Sequence, residues 1–268
     1  MEHVTSRNNP LIKRFREVAR EGRAGDVVLL DGEHLVGEAL DSEVPLHVVA
    51  IASDAARGRF VSLAERSIRA GARVVTMPGS VLSSISPVRQ ASGIVALAQV
   101  KPASLEDALA GRTRQLVVLL DGVQDPGNVG AIIRTAEACG ATGVIAGPRT
   151  ADPFGWKALR GSMGSALRLP IARVDTLDAA IGAIRQAGLR IFTTLPRGGT
   201  PLATADLSGP SVIVVGGEGA GLSDEVAAAA DEGLTIEMQG PVESLNVSIA
   251  AAIVLYAASR QRSHVAVR

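Results

Sequence analysis

The sequence predicts an α/β protein in two parts, of which the second is an open parallel β-sheet with helices on both faces. Three observations support this fold class. Short apolar runs alternate with stretches of helical periodicity along the chain. The run QLVVLL at residues 115–120 is almost entirely apolar, as expected of a buried parallel strand. Three predicted strands of the second part end in polar or glycine-rich loops, where ligands of such sheets usually bind.

The first part, residues 1–102, alternates helices and strands until the segment KPAS at residues 101–104 interrupts the pattern. The helices are predicted from apolar residues at helical spacing, and the strands from short apolar runs. In chain order the predicted elements are helix 9–20, strand 27–30, helix 32–40, strand 46–52, helix 60–71, strand 73–77 and strand 93–100. We therefore expect a small α/β domain that ends at this interruption.

The second part, residues 113–268, repeats a strand–helix rhythm that is typical of a parallel sheet. Its predicted strands are residues 115–120, 143–147, 190–194, 211–216 and 234–238. One helix is expected to begin at about Asn128 or Val129, another at residues 223–225 and a third at Val247. Because the carboxyl ends of parallel strands meet at one edge, the loops after these strands predict the position of a site.

The last predicted helix is apolar around its whole circumference from Val247 to Ala258, where Ser248 and Tyr256 carry the only polar groups. A helix of this kind has to be covered on all sides. It begins behind a cluster of polar residues that includes Ser244 and Asn246. These two residues are either ordinary capping residues or members of a site.

Length and composition limit the classes of protein to which the chain can belong. The chain has 268 residues, of which 47% are hydrophobic, enough for one large or two medium domains. Its longest uncharged apolar run, about a dozen residues, is too short to cross a bilayer. The N-terminus has no apolar signal-peptide region, so we expect a protein of the reducing cytoplasm. The single Cys139 excludes an internal disulfide, and His3, His34, His47 and His264 show no ligand spacing, so no metal is expected.

Positive charge is concentrated near the N-terminus of a chain with 27 basic and 27 acidic residues. This balance argues against a histone-like binder, but it allows a local basic patch. The candidates for such a patch are Arg7, Lys13, Arg14 and Arg16. The C-terminal tail adds Arg260, Arg262 and Arg268. The alternative is a solvated helix face and a frayed tail, and an aromatic content of 2% disfavours binding of single strands by stacked rings.

The loop GGEGAG at residues 216–221 has the glycines of a phosphate-binding turn. Its third glycine comes one residue too early for a dinucleotide fingerprint, and it lacks the Lys-Ser/Thr pair of a P-loop. Glu218 also lies among the glycines, where a carboxylate would repel a pyrophosphate. Glu237 could still bind a ribose hydroxyl, so a nucleotide site remains open beside a plain strand-to-helix turn.

The segment DPGNVGAIIRTAEACG at residues 125–140 begins with turn residues and continues as a helix. Asn128 could be the N-cap of this helix. Arg134 follows an apolar string and could simply extend its side chain to the surface. The alternative is that its guanidinium, on the helix behind a ligand-binding loop, holds a phosphate.

Three motifs together resemble the SpoU (TrmH-type) RNA ribose 2′-O-methyltransferases of the SPOUT superfamily. They are Asn128-x-Gly130-x3-Arg134-Thr135, GGEGAGLS at residues 216–223 and SLNVSIAAAIVLY at residues 244–256. The resemblance is specific because the three motifs occur in the family's order. The first hundred residues resemble, more loosely, the substrate-binding α/β domain of the ribosomal-RNA members and of the thiostrepton-resistance methylases. TSRNNPLIKRF, LLDGEHLVGEAL and ASGIVALAQ carry this second similarity.

This resemblance implies S-adenosylmethionine as the methyl donor, a deep trefoil knot in the second domain, and a homodimer. In the family the cofactor is contacted by the backbone of three loops. Carried over, the cofactor-binding residues are Thr194, Leu195, Gly216, Gly217, Ile236 and Leu245. The resemblance also implies RNA as the partner of the first domain. The excess of positive charge near the N-terminus makes Arg7, Lys13, Arg14 and Arg16 the predicted contacts.

The catalytic residues that the resemblance implies are Asn128, Arg134, Glu218, Ser244 and Asn246. Family proposals treat the arginine as a general base. A guanidinium is effectively always protonated, so we expect Arg134 to hold the phosphate on the 3′ side and to stabilise the developing oxyanion. Asn128 would brace its loop, and Glu218 would orient Arg134 or the substrate. Ser244 and Asn246 would position the nucleotide.

The predicted function is methyl transfer from S-adenosylmethionine to a ribose 2′-hydroxyl of RNA, with 23S ribosomal RNA as the expected substrate and transfer RNA as the alternative. Two functions of other classes stay open. A nucleotide-binding oxidoreductase would bind a dinucleotide in place of S-adenosylmethionine. A non-catalytic RNA-binding protein would have no use for the polar motif residues, which argues against it.

Overall fold

The structure of the protein is a computed structural model that describes residues 1–56, 58–111, 115–219 and 221–264. The chain divides into two compact units. The first contains Met1–Lys101 together with Phe154–Arg168, and the second contains Pro102–Pro153 and the chain from Leu169 onward. A segment from within the predicted second domain thus belongs to the first unit, where Trp156 packs against the hydrophobic core.

Strands and helices alternate through both units. The strands are β1 (Glu2–His3), β2 (Arg23–Ala24), β3 (Val27–Asp31), β4 (Leu46–Ala52), β5 (Arg73–Met77), β6 (Ile94–Gln99), β7 (Leu116–Asp121), β8 (Gly143–Ala146), β9 (Ile171–Arg173), β10 (Arg190–Leu195), β11 (Thr200–Pro201), β12 (Ser211–Gly216) and β13 (Glu232–Thr235). The helices are α1 (Pro10–Glu21), α2 (Glu33–Asp41), α3 (Val61–Arg69), α4 (Gly79–Leu82), α5 (Leu105–Leu109), α6 (Pro126–Ala138), α7 (Trp156–Ser162), α8 (Ser165–Arg168), α9 (Leu177–Gln186), α10 (Asp224–Ala229) and α11 (Val247–His264). Every predicted element has a counterpart, and the sequence pattern missed α9 and a set of shorter segments.

The first unit is built on a mixed sheet with strand order β1-β5-β4-β6-β3-β2. β4 and β5 run parallel, whereas β6 runs antiparallel to both β3 and β4. α1 packs its apolar side, formed by Ile12, Phe15 and Val18, into the core of this unit. Asn9 caps the helix with its side chain, and Pro10 occupies the first helical position. The basic residues of α1 lie on its remaining faces.

The second unit confirms the predicted parallel sheet, with strand order β11-β13-β10-β12-β7-β8-β9 and parallel pairing throughout. Every residue of β7 is buried, in keeping with its continuous apolar run. β13 ends at Thr235, earlier than the predicted strand 234–238, because its register along β10 ends at the pair Leu195 and Thr235. The chain from Ile236 onward therefore leaves the sheet and forms a long loop before α11.

α11 packs against α6 and β12, and the single chain covers only part of its apolar circumference. Its buried apolar side chains are Ala251, Val254, Leu255 and Ala258. On the bare side Ile249 is 53% exposed, Ile253 38% and Tyr256 63%. Neither α11 nor any other helix among the described residues is long and apolar enough to cross a membrane.

The C-terminal arginines do not form a uniformly solvated tail. Arg262 is buried and donates hydrogen bonds of 2.6 Å to the carbonyl oxygen of Gly209 and 2.7 Å to the hydroxyl of Ser211. Burial lowers the pKa of the Arg262 guanidinium to about 10. Arg268 lies outside the described residues. Arg262 thus anchors the end of α11 to the start of β12.

Candidate active site

The carboxyl ends of β10, β12 and β13, together with the loops that follow them, enclose a cavity of about 660 Å³. The residues predicted to bind the cofactor all line it: Thr194, Leu195, Gly216, Gly217, Ile236 and Leu245. Three of the predicted catalytic residues line it as well, namely Glu218, Ser244 and Asn246. The fold thus brings into one cavity residues of the second and third motifs, together with the ends of β10 and β13.

Glycine is required at the last residue of β12 and at the first residue of the loop that leads to α10, because the backbone there passes too close to its neighbours for a side chain. A Cβ atom on Gly217 would lie 2.1 Å from the carbonyl oxygen of Gly122. A Cβ atom on Gly216 would lie 2.8 Å from the carbonyl carbon of Gly221. Both contacts are to backbone, which cannot rotate away as the tip of a side chain can. The loop therefore folds back against the end of β7, and its glycine backbone forms part of the cavity wall.

Asn128, Glu218 and Asn246 form a continuous chain of hydrogen bonds. Asn128 Nδ2 donates to Glu218 Oε1 at 2.5 Å, and Asn246 Nδ2 donates to Asn128 Oδ1 at 3.3 Å. The second carboxylate oxygen of Glu218, Oε2, accepts from the backbone N–H of Gln124 at 3.4 Å. Each residue of the chain comes from a different motif, so the three motifs are in direct contact.

α6 begins earlier than the sequence pattern indicates, and this frees the side chain of Asn128. Asp125 is the N-cap, since its Oδ1 accepts from the backbone N–H of Asn128 at 2.9 Å, and Pro126 takes the first helical position. The alternative in which Asn128 caps the helix is therefore wrong. Asn246, in contrast, does cap α11, because its Oδ1 accepts from the N–H of Ser248 at 2.9 Å. Its amide nitrogen remains available for Asn128.

The buried carboxylate of Asp121 fastens the glycine loop to the end of β7. Asp121 is only 2% exposed, and its Oδ2 accepts from the backbone N–H of Ser223 at 2.7 Å. Its carbonyl oxygen accepts from the N–H of Gly217 at 2.8 Å. The loop is thus held at both of its ends by one residue, which partly satisfies a charge that is costly to bury. The sequence pattern missed this residue, whose one local signal is that a single carboxylate closes an apolar strand.

Arg134 and Ser244 are predicted catalytic residues whose side chains have no hydrogen bond to any described residue. Arg134 is exposed on α6 and is not among the residues that line the cavity. Ser244 is exposed at the cavity wall. A guanidinium without an internal partner is available to an external phosphate. The same exposure is expected of a solvated arginine, so substitution has to separate the two roles.

Two of the four predicted RNA contacts in the first unit are engaged within the protein. Arg16 Nε donates to the carbonyl oxygen of Ser84 at 3.2 Å, and Arg16 Nη2 donates to the Ser84 hydroxyl at 2.8 Å. Arg7 Nη2 donates to a backbone carbonyl oxygen at 3.2 Å. Lys13 and Arg14 are exposed and lack such partners in the described part of the chain. Of the four residues, these two are therefore the more available for contact with RNA phosphates.

Comparison with known proteins identifies the family. The model of the SpoU rRNA Methylase family matches residues 115–256, which is more than half of the chain. The chain belongs to this family. The matched stretch contains every residue that lines the cavity, and it contains the hydrogen-bonded residues Asn128, Glu218 and Asn246. The site at the strand ends therefore lies wholly within the SpoU methylase region.

Relatives of this SpoU methylase resemble it over nearly its whole length. The 23S rRNA (guanosine(2553)-2′-O)-methyltransferase RlmP of Bacillus subtilis is 31% identical and is matched over 96% of this chain and 98% of its own. An AdoMet-bound rRNA methyltransferase from Sinorhizobium meliloti is 32% identical, with a TM-score of 0.85 over 97% of both chains. The SpoU methyltransferase AviRb of Streptomyces viridochromogenes, solved with AdoMet, is 27% identical, with a TM-score of 0.83 over 96% of this chain and 99% of its own. The likeness therefore includes the first unit.

Proposed function

We propose that this SpoU methylase modifies 23S ribosomal RNA at a ribose 2′-hydroxyl, within the cavity at the strand ends. As a member of its family the protein is an RNA 2′-O-methyltransferase that uses S-adenosylmethionine. The observation that carries the proposal is the contact of Asn128, Glu218 and Asn246 beside a cavity of about 660 Å³. A dinucleotide site is disfavoured, because Glu218 is fixed in this cluster among the glycines that would have to hold a pyrophosphate.

The cavity fits S-adenosylmethionine by size and by the chemistry of its wall. Its volume lies within the range of about 300–1,000 Å³ that is usual for cofactor sites. Leu195, Ile236 and Leu245 offer apolar contact, and the backbone of Gly216 and Gly217 offers hydrogen-bonding groups where no side chain fits. When bound, the cofactor supplies an electrophilic methyl group on a sulfonium centre. The protein then has to position the ribose oxygen and help it to lose its proton.

Arg134 acts in the proposed mechanism as a positively charged clamp. It holds the phosphate on the 3′ side of the reacting ribose and stabilises the negative charge that develops on the 2′-oxygen. Its guanidinium does not accept the proton, because it stays protonated at any pH at which the enzyme works. The proton leaves to the RNA phosphate or to water.

The hydrogen-bonded chain gives the remaining predicted residues their roles. Asn128 is fixed between Glu218 and Asn246, so it braces the first turn of α6, the helix that carries Arg134. Glu218 is held in turn by the backbone of Gln124 and thereby keeps the glycine loop in place. Ser244, exposed at the cavity wall, is free to contact the nucleotide.

The proposed activity is tested by supplying the protein with labelled S-adenosylmethionine and total RNA from cells that lack this enzyme. We expect label in 23S ribosomal RNA, at one nucleotide that then resists alkaline cleavage because its 2′-hydroxyl is methylated. Label in transfer RNA alone would overturn the choice of substrate. Label on a base, with the ribose unmodified, would overturn the reaction itself.

The second unit is proposed to form a homodimer through the bare side of α11. This side, defined by Ile249, Ile253 and Tyr256, borders a groove of about 480 Å³ that α6 completes with Ala131 and Thr135. An apolar patch of this kind is typical of a protein interface. Membership of the SpoU family, whose resemblance implies a homodimer, supports a second copy of the chain as the occupant.

Charging the bare side of α11 is expected to separate the dimer. In the double variant Ile249→Lys, Ile253→Lys, four ammonium groups would face one another across the interface, so sedimentation should shift from a dimer to the 27.5 kDa species. Ile68→Lys, at an exposed apolar position of α3, is the matched control and should remain dimeric. A wild-type chain that sediments only at 27.5 kDa would contradict the proposal.

The first unit is proposed to supply RNA affinity through the basic face of α1. We expect the double variant Lys13→Ala, Arg14→Ala to bind RNA more weakly, and the slope of log affinity against log salt to fall by about two, roughly one for each phosphate that is no longer neutralised. Arg16→Ala is expected to lower the free energy of unfolding in addition to RNA affinity, because it removes the hydrogen bonds to Ser84. Arg69→Ala, an exposed arginine of α3, is the control. An unchanged salt slope in the double variant would exclude these two residues as phosphate ligands.

The second unit is also proposed to contain a trefoil knot. The order of the strands in the sheet supports this proposal. β13 follows β12 in sequence but pairs with β10, on the far side from β7. The chain then returns through residues 236–246, and α11 packs against α6, the helix that follows β7. This return past the earlier loops is the path that a knot requires, and the SpoU family membership supports it.

A further inference from the structure

A second polar cavity lies in the first unit, around the end of β3 and the start of α2. Its volume is about 540 Å³. Among its lining residues are Asp31, Gly32, Arg59, Gln90, Ser92 and Arg160. The motif LLDGEHLVGEAL, to which methyl transfer assigns no role, runs through this region at residues 29–40.

Asp31 gives this cavity a buried acceptor group. The residue is 7% exposed, and a serine hydroxyl lies within hydrogen-bond distance of each of its carboxylate oxygens. Ser86 Oγ donates to Oδ2 at 2.6 Å, whereas the single hydrogen of Ser92 Oγ is shared between Oδ1 at 3.1 Å and the carbonyl oxygen of Ile94 at 2.9 Å. An ionised carboxylate can accept about four hydrogen bonds, so both oxygens keep capacity for a ligand. Burying an ionised carboxylate costs free energy unless hydrogen-bond donors replace the water that it loses.

Gln90 and Arg160 bring hydrogen-bond donors to the same cavity. Both side chains are exposed, and neither has a hydrogen bond to a described residue. Arg59 is already paired, because its Nη2 lies 2.7 Å from Glu33 Oε2. Glu33 and His34 also line the cavity, but Glu33 is the partner of Arg59, and His34 Nε2 lies 3.1 Å from the carbonyl oxygen of Met163. The cavity therefore offers a ligand one buried carboxylate and two donor side chains that have no partner among the described residues.

This pattern of acceptor and donors matches one RNA base. On their Watson–Crick edges, only guanine among the four bases presents two adjacent donors, N1–H and N2–H, beside an acceptor, O6. A carboxylate can accept from both donors at once, and a side-chain amide can donate to O6. Proteins that recognise RNA by sequence mostly read unpaired bases on this edge.

We propose that this cavity binds an unpaired guanine of the RNA substrate, with Asp31 accepting from N1–H and N2–H, Gln90 donating to O6 and Arg160 contacting a neighbouring phosphate. The proposal rests on the proposed function, because it takes RNA as the substrate. It adds a base-specific contact to the phosphate contacts of Lys13 and Arg14, which carry no sequence information of their own.

The test measures binding of the full-length protein to hairpin RNAs that differ in a single unpaired base. A hairpin with one guanine in a uracil loop is compared with hairpins that carry inosine, which lacks the 2-amino group, or adenine. We expect the guanine hairpin to bind about tenfold more tightly than the inosine hairpin, within the range for one bidentate contact. Equal affinity for both would overturn the proposal. Methyl transfer to ribosomal RNA is measured on the same preparation, since its absence would count against the proposed function instead.

Substitutions then locate the guanine site. Asp31→Asn keeps the shape of the side chain but replaces an acceptor with a donor, so the preference for guanine over inosine should disappear. Gln90→Ala, at an exposed position where folding is not at stake, should weaken binding of the guanine and inosine hairpins, which share O6, and leave the adenine hairpin unchanged. Gln186→Ala, an exposed glutamine of α9, is the matched control. If Gln90→Ala and Gln186→Ala bind all three hairpins alike, the cavity is not the site.

Discussion

Replacing Arg134 with alanine is expected to lower the rate of methyl transfer by about 10²–10³-fold, the usual cost of losing one preorganised electrostatic donor. Affinity for S-adenosylmethionine should stay nearly unchanged, because Arg134 lies outside the residues that line the cavity. Stability should also change little, since the side chain is exposed and has no partner among the described residues, and alanine is a good helix former. The measurement is turnover and cofactor binding on the same folded protein.

Arg134→Lys is the companion variant. It keeps the positive charge but loses the planar fork of donors that fits a phosphate, so we expect it to restore only a small part of the rate. A solvated arginine with no catalytic role predicts a different outcome, namely near-wild-type turnover in both variants. A joint loss of turnover and cofactor affinity would mean that α6 helps to build the cavity, and the phosphate role would then have to be abandoned.

Gly217→Ala is expected to lower cofactor affinity by at least about tenfold, a loss that corresponds to about 1.4 kcal/mol. The added Cβ would lie 2.1 Å from the carbonyl oxygen of Gly122, so either the end of β7 or the glycine loop has to move. Overpacking of this kind typically costs about 1–3 kcal/mol. The movement would also strain the hydrogen bond from the N–H of Gly217 to the carbonyl oxygen of Asp121.

Calorimetric titration with S-adenosylmethionine and thermal unfolding of the free protein measure the two effects of Gly217→Ala separately. Gly209→Ala is the control, because a Cβ at that position meets no atom within 4 Å. It should match the wild type in both measurements. If Gly217→Ala binds the cofactor as the wild type does, the glycine loop is not the wall of the cofactor site.

Most residues that line the candidate site could be named from sequence, whereas the contacts among them could not. The three motifs place Asn128, Glu218 and Asn246 in one predicted site, and Asn128 lies within hydrogen-bond distance of both other residues. The helix start was misplaced because Asn128 and Asp125 are both good N-caps, and the proline directly after Asp125 decides between them. Asp121 was missed because its partner, the N–H of Ser223, is supplied by a residue distant in sequence.

The fold was predictable where local pattern is enough. The strand β7 follows from its own apolar run, since burial on both faces requires a continuous apolar stretch. The end of β13 does not follow from its own sequence, because it depends on the residue at which pairing with β10 ends. The environment of Arg16 likewise depends on a residue distant in sequence. Its neighbours along the chain predict a guanidinium without a partner in the protein. Only the packing of α1 brings Ser84 to it.

The assignment of Phe154–Arg168 to the first unit has a consequence for how the protein is made. On the ribosome, residues 102–153 of the second unit emerge before the first unit has its last helices and Trp156. Synthesis adds about 5–20 residues per second, so the apolar surface that Trp156 covers stays exposed for a time on the order of seconds after Lys101 has been added. The first unit is therefore complete only when Arg168 has been added, after residues 102–153 of the second unit have already been synthesised.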